Sequence, residues 1–323
     1  MLGQIENLVT GEKMRVLITG GTGYIGQYLC KCLKEHGYDV VITSRKNNKV
    51  VNGYENRYME LTDSSSIVDV CKNIDIVIHL ANWDELLVKE HPEEAYIANS
   101  YATRLVYLDA LKNSVRHFVF FSTFHVYGKN YGQISETTIV EPKTDYAMSH
   151  YFAELFLRQL SESGDCKVSI IRLTNGIGLP LEGVGKWYLA INDFCKTAYE
   201  KKQIIMKSNG LPVRDFVAIR DVAEAVAILI SKCDEIDSKY EIYNLSSQDT
   251  YSIRDVANIV CEEYSKRYCS EICFMAPQVT ESDIKMIKPL FVSSEKIRNL
   301  GWNNKISIQM VVNEIFDSLE NII

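Results

Sequence analysis

The chain has 323 residues, of which 46% are hydrophobic and 24% charged, with 35 Lys and Arg against 42 Asp and Glu for a formal net charge of −7. That balance supports a sizeable core and argues against a nucleic acid or anionic membrane partner. No run reaches about eighteen apolar residues, so no membrane span is expected. The nine cysteines show no regular framework, and no secretory leader is recognised; reduced thiols in the cytoplasm are the expectation. Cys30/Cys32 and Cys269/Cys273 are close pairs, but neither has a matching second half, so no metal site is expected.

Residues 1–13 show no clear periodicity and read as an N-terminal extension. The unalternating run Val16-Leu17-Ile18 then predicts a strand covered on both faces, ended by Gly20 and Gly21. Gly21, Gly23 and Gly26 fit G-x-G-x-x-G, and a helix is expected from Tyr24 to about His36. Glycine allows the tight turn, the close backbone approach to a pyrophosphate, and the packing of helix on strand. A second strand, Asp39 to Thr43, completes a unit of about thirty residues, the context in which this pattern binds a dinucleotide. At its end stand Ser44 and Arg45, with no acid until Glu55. An acid there binds a ribose 2′-hydroxyl, whereas a basic residue accommodates a 2′-phosphate, so NADP is favoured and NAD remains open.

A third strand is expected near Arg57–Leu61, a helix over about 65–72 and a strand over Ile74–Ala81. Pro92 starts a long helix to about Leu111, and the strand His117–Phe121 follows. Strands alternating with helices predict an α/β fold with a doubly wound parallel sheet, whose ligands sit beyond the carboxyl ends of the strands. Gly20–Gly26, Ser44, Arg45, Ala81, Ser122 and Thr123 fall on that edge. Beyond Arg172 the alternation becomes irregular, with a helix near Trp187–Tyr199, a strand near Ile204–Met206 and a helix start at Asp221.

Ser122-Thr123, Val126-Tyr127-Gly128, Tyr146-x-x-Ser149, Arg172-x-x-Asn175, Arg214-Asp215-Phe216-Val217 and Leu300-Gly301-Trp302 occur in an order that resembles the extended short-chain dehydrogenase/reductase family, in its nucleotide-sugar epimerase/dehydratase/reductase branch. The resemblance covers residues 14–320. It implies a Rossmann dinucleotide-binding domain at 14–173 and a smaller C-terminal α/β substrate domain mainly within 174–323, parts of which return to the main sheet. It implies an NAD(P)-dependent enzyme interconverting hydroxyl and ketone on a nucleotide-activated sugar, with 4-epimerisation through a transient keto sugar as the alternative. A catalytically impaired cofactor-binding regulator is a further alternative.

By the same resemblance Thr123 orients the reacting oxygen and Tyr146 is the acid/base. The cofactor set is Gly20, Gly23, Tyr24, Ile25, Gly26, Ser44, Arg45, Glu60, Leu61, Leu80, Ala81, Asn99, Tyr146 and His150. The substrate set is Thr123, Phe124, His125, Asn175 and Arg214. His150 stands where the family has Lys, and Phe124-His125 where dehydrating members have Asp-Glu, so dehydration is not expected. The C-terminal phosphate Arg of the family is missing near Glu281-Ser282-Asp283, with Lys285 or Lys288 as substitutes. Extra apolar residues on the helices at 93–111 and 146–160, among them Ile97, Leu105, Phe152 and Leu155, predict at least a homodimer.

Overall fold

The computed structural model describes residues 13–321, so the expected N-terminal extension lies, apart from Lys13, outside the described residues. An eight-stranded sheet forms its centre, in the order Tyr240–Leu245, Lys167–Leu173, His117–Thr123, Ile76–His79, Arg15–Thr19, Asp39–Ser44, Tyr54–Tyr58, Val50–Val51. All neighbours run parallel except the last pair, in which Val50–Val51 folds back on Tyr54–Tyr58.

Successive residues of a strand point to opposite faces, and both faces are covered here. Val16, Ile18, Ile42 and Ile78 join one buried cluster with Leu29 and Leu33 of helix Tyr24–Glu35 and Val222 and Val226 of helix Ile219–Ser231. Leu17, Val41, Val77 and Phe118 join the other, with Val106 of helix Ala102–Lys112 and Leu157 of helix Asp145–Ser161. This is why the central strands read as continuous apolar runs. From Arg15–Thr19 the chain builds outward on one side, then crosses to Ile76–His79 on the other, which opens a crevice between the carboxyl ends of those strands.

The helices Ala190–Lys201, Ile253–Tyr268 and Ile308–Glu320 share a separate core that includes Phe194, Val260 and Phe316. Residues 219–245 come back from this region to the main sheet, supplying helix Ile219–Ser231 and the edge strand Tyr240–Leu245.

Three local expectations change. The third strand is Tyr54–Tyr58, earlier than Arg57–Leu61. The helix expected over 65–72 is one 3-10 turn, Ser64–Ile67. Its continuation is replaced by a turn with Asp69 at φ 59, because the Asp109 carboxylate takes the N–H groups of Asp69 (2.9 Å) and Cys71 (2.8 Å). The long helix contains a π-helical segment, Tyr96–Tyr101, between Pro92–Ala95 and Ala102–Lys112.

One buried ion pair braces the strands beneath the site. Arg172 Nη2 lies 2.6 Å from Glu154 Oε2, and Ser122 Oγ donates to Glu154 Oε1 at 2.5 Å. Both charged side chains are almost fully buried, at 3% and 2% exposure. Glu154→Ala would leave the Arg172 cation without its partner, so we expect a loss of about 3–5 kcal/mol in urea unfolding. A loss below about 1 kcal/mol would show that the pair is not a structural brace.

Candidate active site

The crevice is a cleft of about 530 Å³. Gly23 caps helix Tyr24–Glu35 with extended backbone and no side-chain bond, and the first turn carries no acid. Its leading N–H groups and positive dipole end therefore remain available to an anion. The turn is tight: Gly23 N–H donates to Gly20 O at 2.9 Å, and Gly20 has φ +69. A Cβ on Gly26 would stand 2.3 Å from Gly20 O, so only glycine lets the helix come this near. A phosphate-bearing dinucleotide fits this cradle.

Gly20, Gly23, Tyr24, Ile25, Gly26, Ser44, Arg45, Glu60, Leu61, Leu80, Ala81, Thr123, Tyr146 and His150 all line the cleft. Asn99 does not. Buried in the π-helical segment, it accepts from Trp83 N–H at 2.7 Å and donates to Trp83 O and to Ser149 Oγ, both at 3.2 Å. Its side chain holds the wall of the cleft and helix Asp145–Ser161 together.

That wall rests on residues whose part the sequence reading missed. The Thr19 hydroxyl accepts from Leu80 N–H (3.0 Å) and Ala81 N–H (3.1 Å) and lies 2.8 Å from His79 Nδ1. His79 Nε2 is 3.0 Å from Thr103 Oγ1, which itself donates to Asn99 O. The network therefore assigns the ring proton to Nε2, with Nδ1 accepting from Thr19. Burial lowers the His79 pKa to about 3, so the ring stays neutral and the pattern one-directional. Only Leu80 and Ala81 in the cofactor set pointed to this place, and nothing local in the sequence pairs His79 with Thr103.

At the far end of the cleft Thr123 ends its strand and Tyr146 opens helix Asp145–Ser161, whose Thr144 cap accepts from Ala147 N–H. Burial pushes the Tyr146 phenol up to about 12, with a hydrogen bond from the side of Thr123 offsetting part of the rise. His150 lies one turn on, its ring centroid 4.4 Å from that of Tyr146 and its side chain buried. Its Nδ1 is 2.8 Å from the Tyr146 carbonyl, an acceptor only, so Nδ1 carries the proton and Nε2 is a bare acceptor. Burial lowers the His150 pKa to about 4, which keeps the ring uncharged at neutral pH.

Phe124, His125, Asn175 and Arg214 line an adjoining cavity of about 310 Å³ with Lys129 and Lys143. Thr174 borders both spaces. Asn175 donates to Asp215 O at 2.8 Å. Arg214 forms no ion pair among the described residues, since the Asp215 carboxylate is taken by Thr174, Ser246, Ser247 and Gln248. A third cavity of about 320 Å³ shares Asn130 with the second and includes Tyr131 and Lys288 but not Lys285. Lys288 Nζ stands 4.2 Å over the Tyr131 ring.

The family described as "NAD dependent epimerase/dehydratase family" matches residues 16–246, most of the chain and all of the cofactor cleft's strands. The chain belongs to the NAD dependent epimerase/dehydratase family. Among its relatives, a "Putative UDP-glucose 4-epimerase" of Methanocaldococcus jannaschii is 25% identical over 95% of this chain and 98% of its own. The "dTDP-D-glucose 4,6-dehydratase" of Mus musculus is 27% identical over 90% and 84%. The solved structure "MoeE5 in complex with UDP-glucuronic acid and NAD" shares the fold of this family member at a TM-score of 0.79 and 20% identity, covering 96% of this chain and all of that one. Members of this family are NAD-dependent enzymes, and the cleft described above is where the present chain has its glycine cradle and its Thr-Tyr pair.

Proposed function

We propose that this enzyme binds a nucleotide-activated sugar and interconverts hydroxyl and ketone at a ring carbon, C4 in our reading, with hydride exchanged at a nicotinamide dinucleotide. The observation that supports it is the meeting of Thr123, Tyr146 and His150 at the end of the cofactor cleft where the cavity with Asn175 and Arg214 begins. The relatives named for UDP- and dTDP-sugar chemistry support the substrate class.

When bound, the nicotinamide supplies or removes the hydride. The Thr123 hydroxyl orients the sugar oxygen, and Tyr146 gives a proton to that oxygen as the carbonyl is reduced or takes one as the hydroxyl is oxidised. A phenol held to about 12 is protonated at neutral pH, so Tyr146 stands ready as a proton donor and must lose its proton before it can act as a base. His150 holds the cofactor ribose through Nε2 as an acceptor and contributes no positive charge to the tyrosine. Arg214, Lys129 and Lys143 meet the diphosphate, because guanidinium and ammonium groups pair with phosphate oxygens and Arg214 is not engaged by an acid. The nucleoside lies against Tyr131 and Lys288 in the third cavity. Phe124 and His125 offer no paired carboxylates, so dehydration is not part of the reading.

The 4-epimerase reading has a specific observation in its favour. The segment after Ile177 is tied across the cleft: Tyr24 OH donates to Gly178 O at 2.5 Å, and Lys186 Nζ reaches Asp84 Oδ2 at 2.7 Å. A roofed cofactor is retained through turnover, as epimerisation needs. For the cofactor we favour NADP, since Ser44 and Arg45 line the cleft at the end of the second strand. We place the enzyme in the cytoplasm, on its nine free cysteines. Ile97, Tyr101, Phe152 and Leu155 are exposed on neighbouring helices and support a homodimer formed through them.

Five outcomes check these readings. In the oxidising direction the rate rises with pH across the neutral and alkaline range, because Tyr146 must first lose its proton. His150→Lys places a cation beside the phenol and moves that rise about one unit or more toward acid, whereas Tyr146→Phe lowers turnover about 10²-fold or more. Unchanged turnover in Tyr146→Phe would refute the assignment. Arg45→Ala weakens NADPH about tenfold by fluorescence titration and leaves NADH alone; equal effects on both would remove the 2′-phosphate reading. Light scattering at micromolar concentration gives a dimer mass, and a monomer mass contradicts it.

A further inference from the structure

Far from the cleft, the same helix that opens at the glycine turn brings a second group of polar side chains together. Cys32 and His36 are four residues apart and so share one face at the end of helix Tyr24–Glu35. Glu224 reaches them from helix Ile219–Ser231, which packs alongside. Cys32 Sγ is 3.5 Å from Glu224 Oε1 and 3.6 Å from His36 Nδ1, and His36 Nε2 is 3.5 Å from Glu224 Oε2. Ligand atoms of all three lie within 4.8 Å of one another. None of them lines the cofactor or substrate cavities.

The orientation of the imidazole is informative. Its Nδ1 is 2.9 Å from the Cys32 carbonyl oxygen, which only accepts, so Nδ1 carries the proton and Nε2 presents its lone pair to a carboxylate oxygen. Two acceptors facing each other beyond hydrogen-bond length repel unless a positive centre lies between them. A ring nitrogen anchored on a backbone carbonyl, with the other nitrogen directed at further donors, is how metal-binding histidines are held. A tetrahedral ion with bonds of about 2.3 Å to sulfur and about 2.0–2.2 Å to nitrogen and oxygen has ligand-to-ligand edges of roughly 3.3–3.6 Å, the separation found from the Glu224 carboxylate to Cys32 Sγ and to His36 Nε2.

We propose that Cys32, His36 and Glu224 form a binding site for a zinc-class divalent ion, with its remaining position open to solvent on the side of the half-exposed Glu224 carboxylate. Thiol plus imidazole selects such an ion over magnesium or calcium. Binding exchanges the thiol proton for the metal, with the proton released to water and no change of oxidation state. The ion ties the two helices together at the end remote from the phosphate cradle, about 18 Å away by helix rise, and acts as a clamp rather than in the reaction. The spacing that carries the site is Cys32-x-x-x-His36 with a partner on another helix, which a search for cysteine pairs passes over.

The test uses the full chain with Cys269→Ser and Cys273→Ser, to remove the two exposed thiols, titrated with Co²⁺ alone. One equivalent should give a thiolate-to-cobalt charge-transfer band and ligand-field bands of four-coordinate strength, both bleached by Zn²⁺. Cys32→Ser should abolish the charge-transfer band. Glu224→Gln, a change at a half-exposed side chain that leaves the fold intact, should weaken Co²⁺ about tenfold or more. Absence of the band at one equivalent, its survival in Cys32→Ser, or an unchanged affinity in Glu224→Gln would each overturn the site and leave the three side chains as a packing contact between the two helices. Should Cys32→Ser fail to fold, the Glu224→Gln affinity decides.

Discussion

The Thr19 hydroxyl sits where the sheet changes direction, and much of the site depends on the bonds that it makes. By accepting from Leu80 and Ala81 it draws the loop after Ile76–His79 against the strand that feeds the glycine turn. Through His79 and Thr103 the same network reaches Asn99, and through Asn99 it reaches Trp83 and Ser149 in the helix of Tyr146. The side chains of Thr19, His79, Thr103, Asn99 and Ser149 are buried, so each bond they left unmade would carry a desolvation cost. The wall of the cleft and the helix that carries Tyr146 are thus positioned by one connected set of hydrogen bonds, not by independent packing.

Within that frame, the exchange of a family lysine for His150 alters the electrostatics without emptying the position. The imidazole packs at a tilt against the Tyr146 ring and is fixed by the Tyr146 carbonyl, so it fills the space and presents an acceptor to the cleft. What it lacks is charge. Burial of both rings then acts in one direction, holding the phenol protonated and the imidazole neutral. In our account Tyr146 therefore rests as the proton donor, and a lysine-like pH response is not expected of this chain.

Much of this was legible before any coordinates. Val16-Leu17-Ile18 and the glycines after it determine strand, turn and helix through local sterics, and sequence expresses local sterics well. The Thr123/Tyr146 pair was legible through the family resemblance. Less legible were features made by distant partners. Asp109 replaces an expected helix by capturing two backbone N–H groups about forty residues earlier in the chain. The π-helical segment turns Asn99 away from the cleft and toward Trp83. Lys186 joins the cofactor wall only because residues 178–188 fold back over it. No periodicity or motif announces such contacts, since each depends on where the sheet has already brought the chain.

The central claim is that Tyr146 and the cofactor cleft serve a hydride transfer at the sugar ring. The most direct measurement is to incubate the enzyme and cofactor with a UDP-sugar carrying deuterium at C4 and follow the label by mass spectrometry. Our account predicts that the deuterium passes to the nicotinamide, or returns to C4 of the epimerised sugar if the cofactor stays bound. Loss of the label to solvent water, with no label on the nicotinamide, would mean that the carbon is deprotonated instead and would contradict the account.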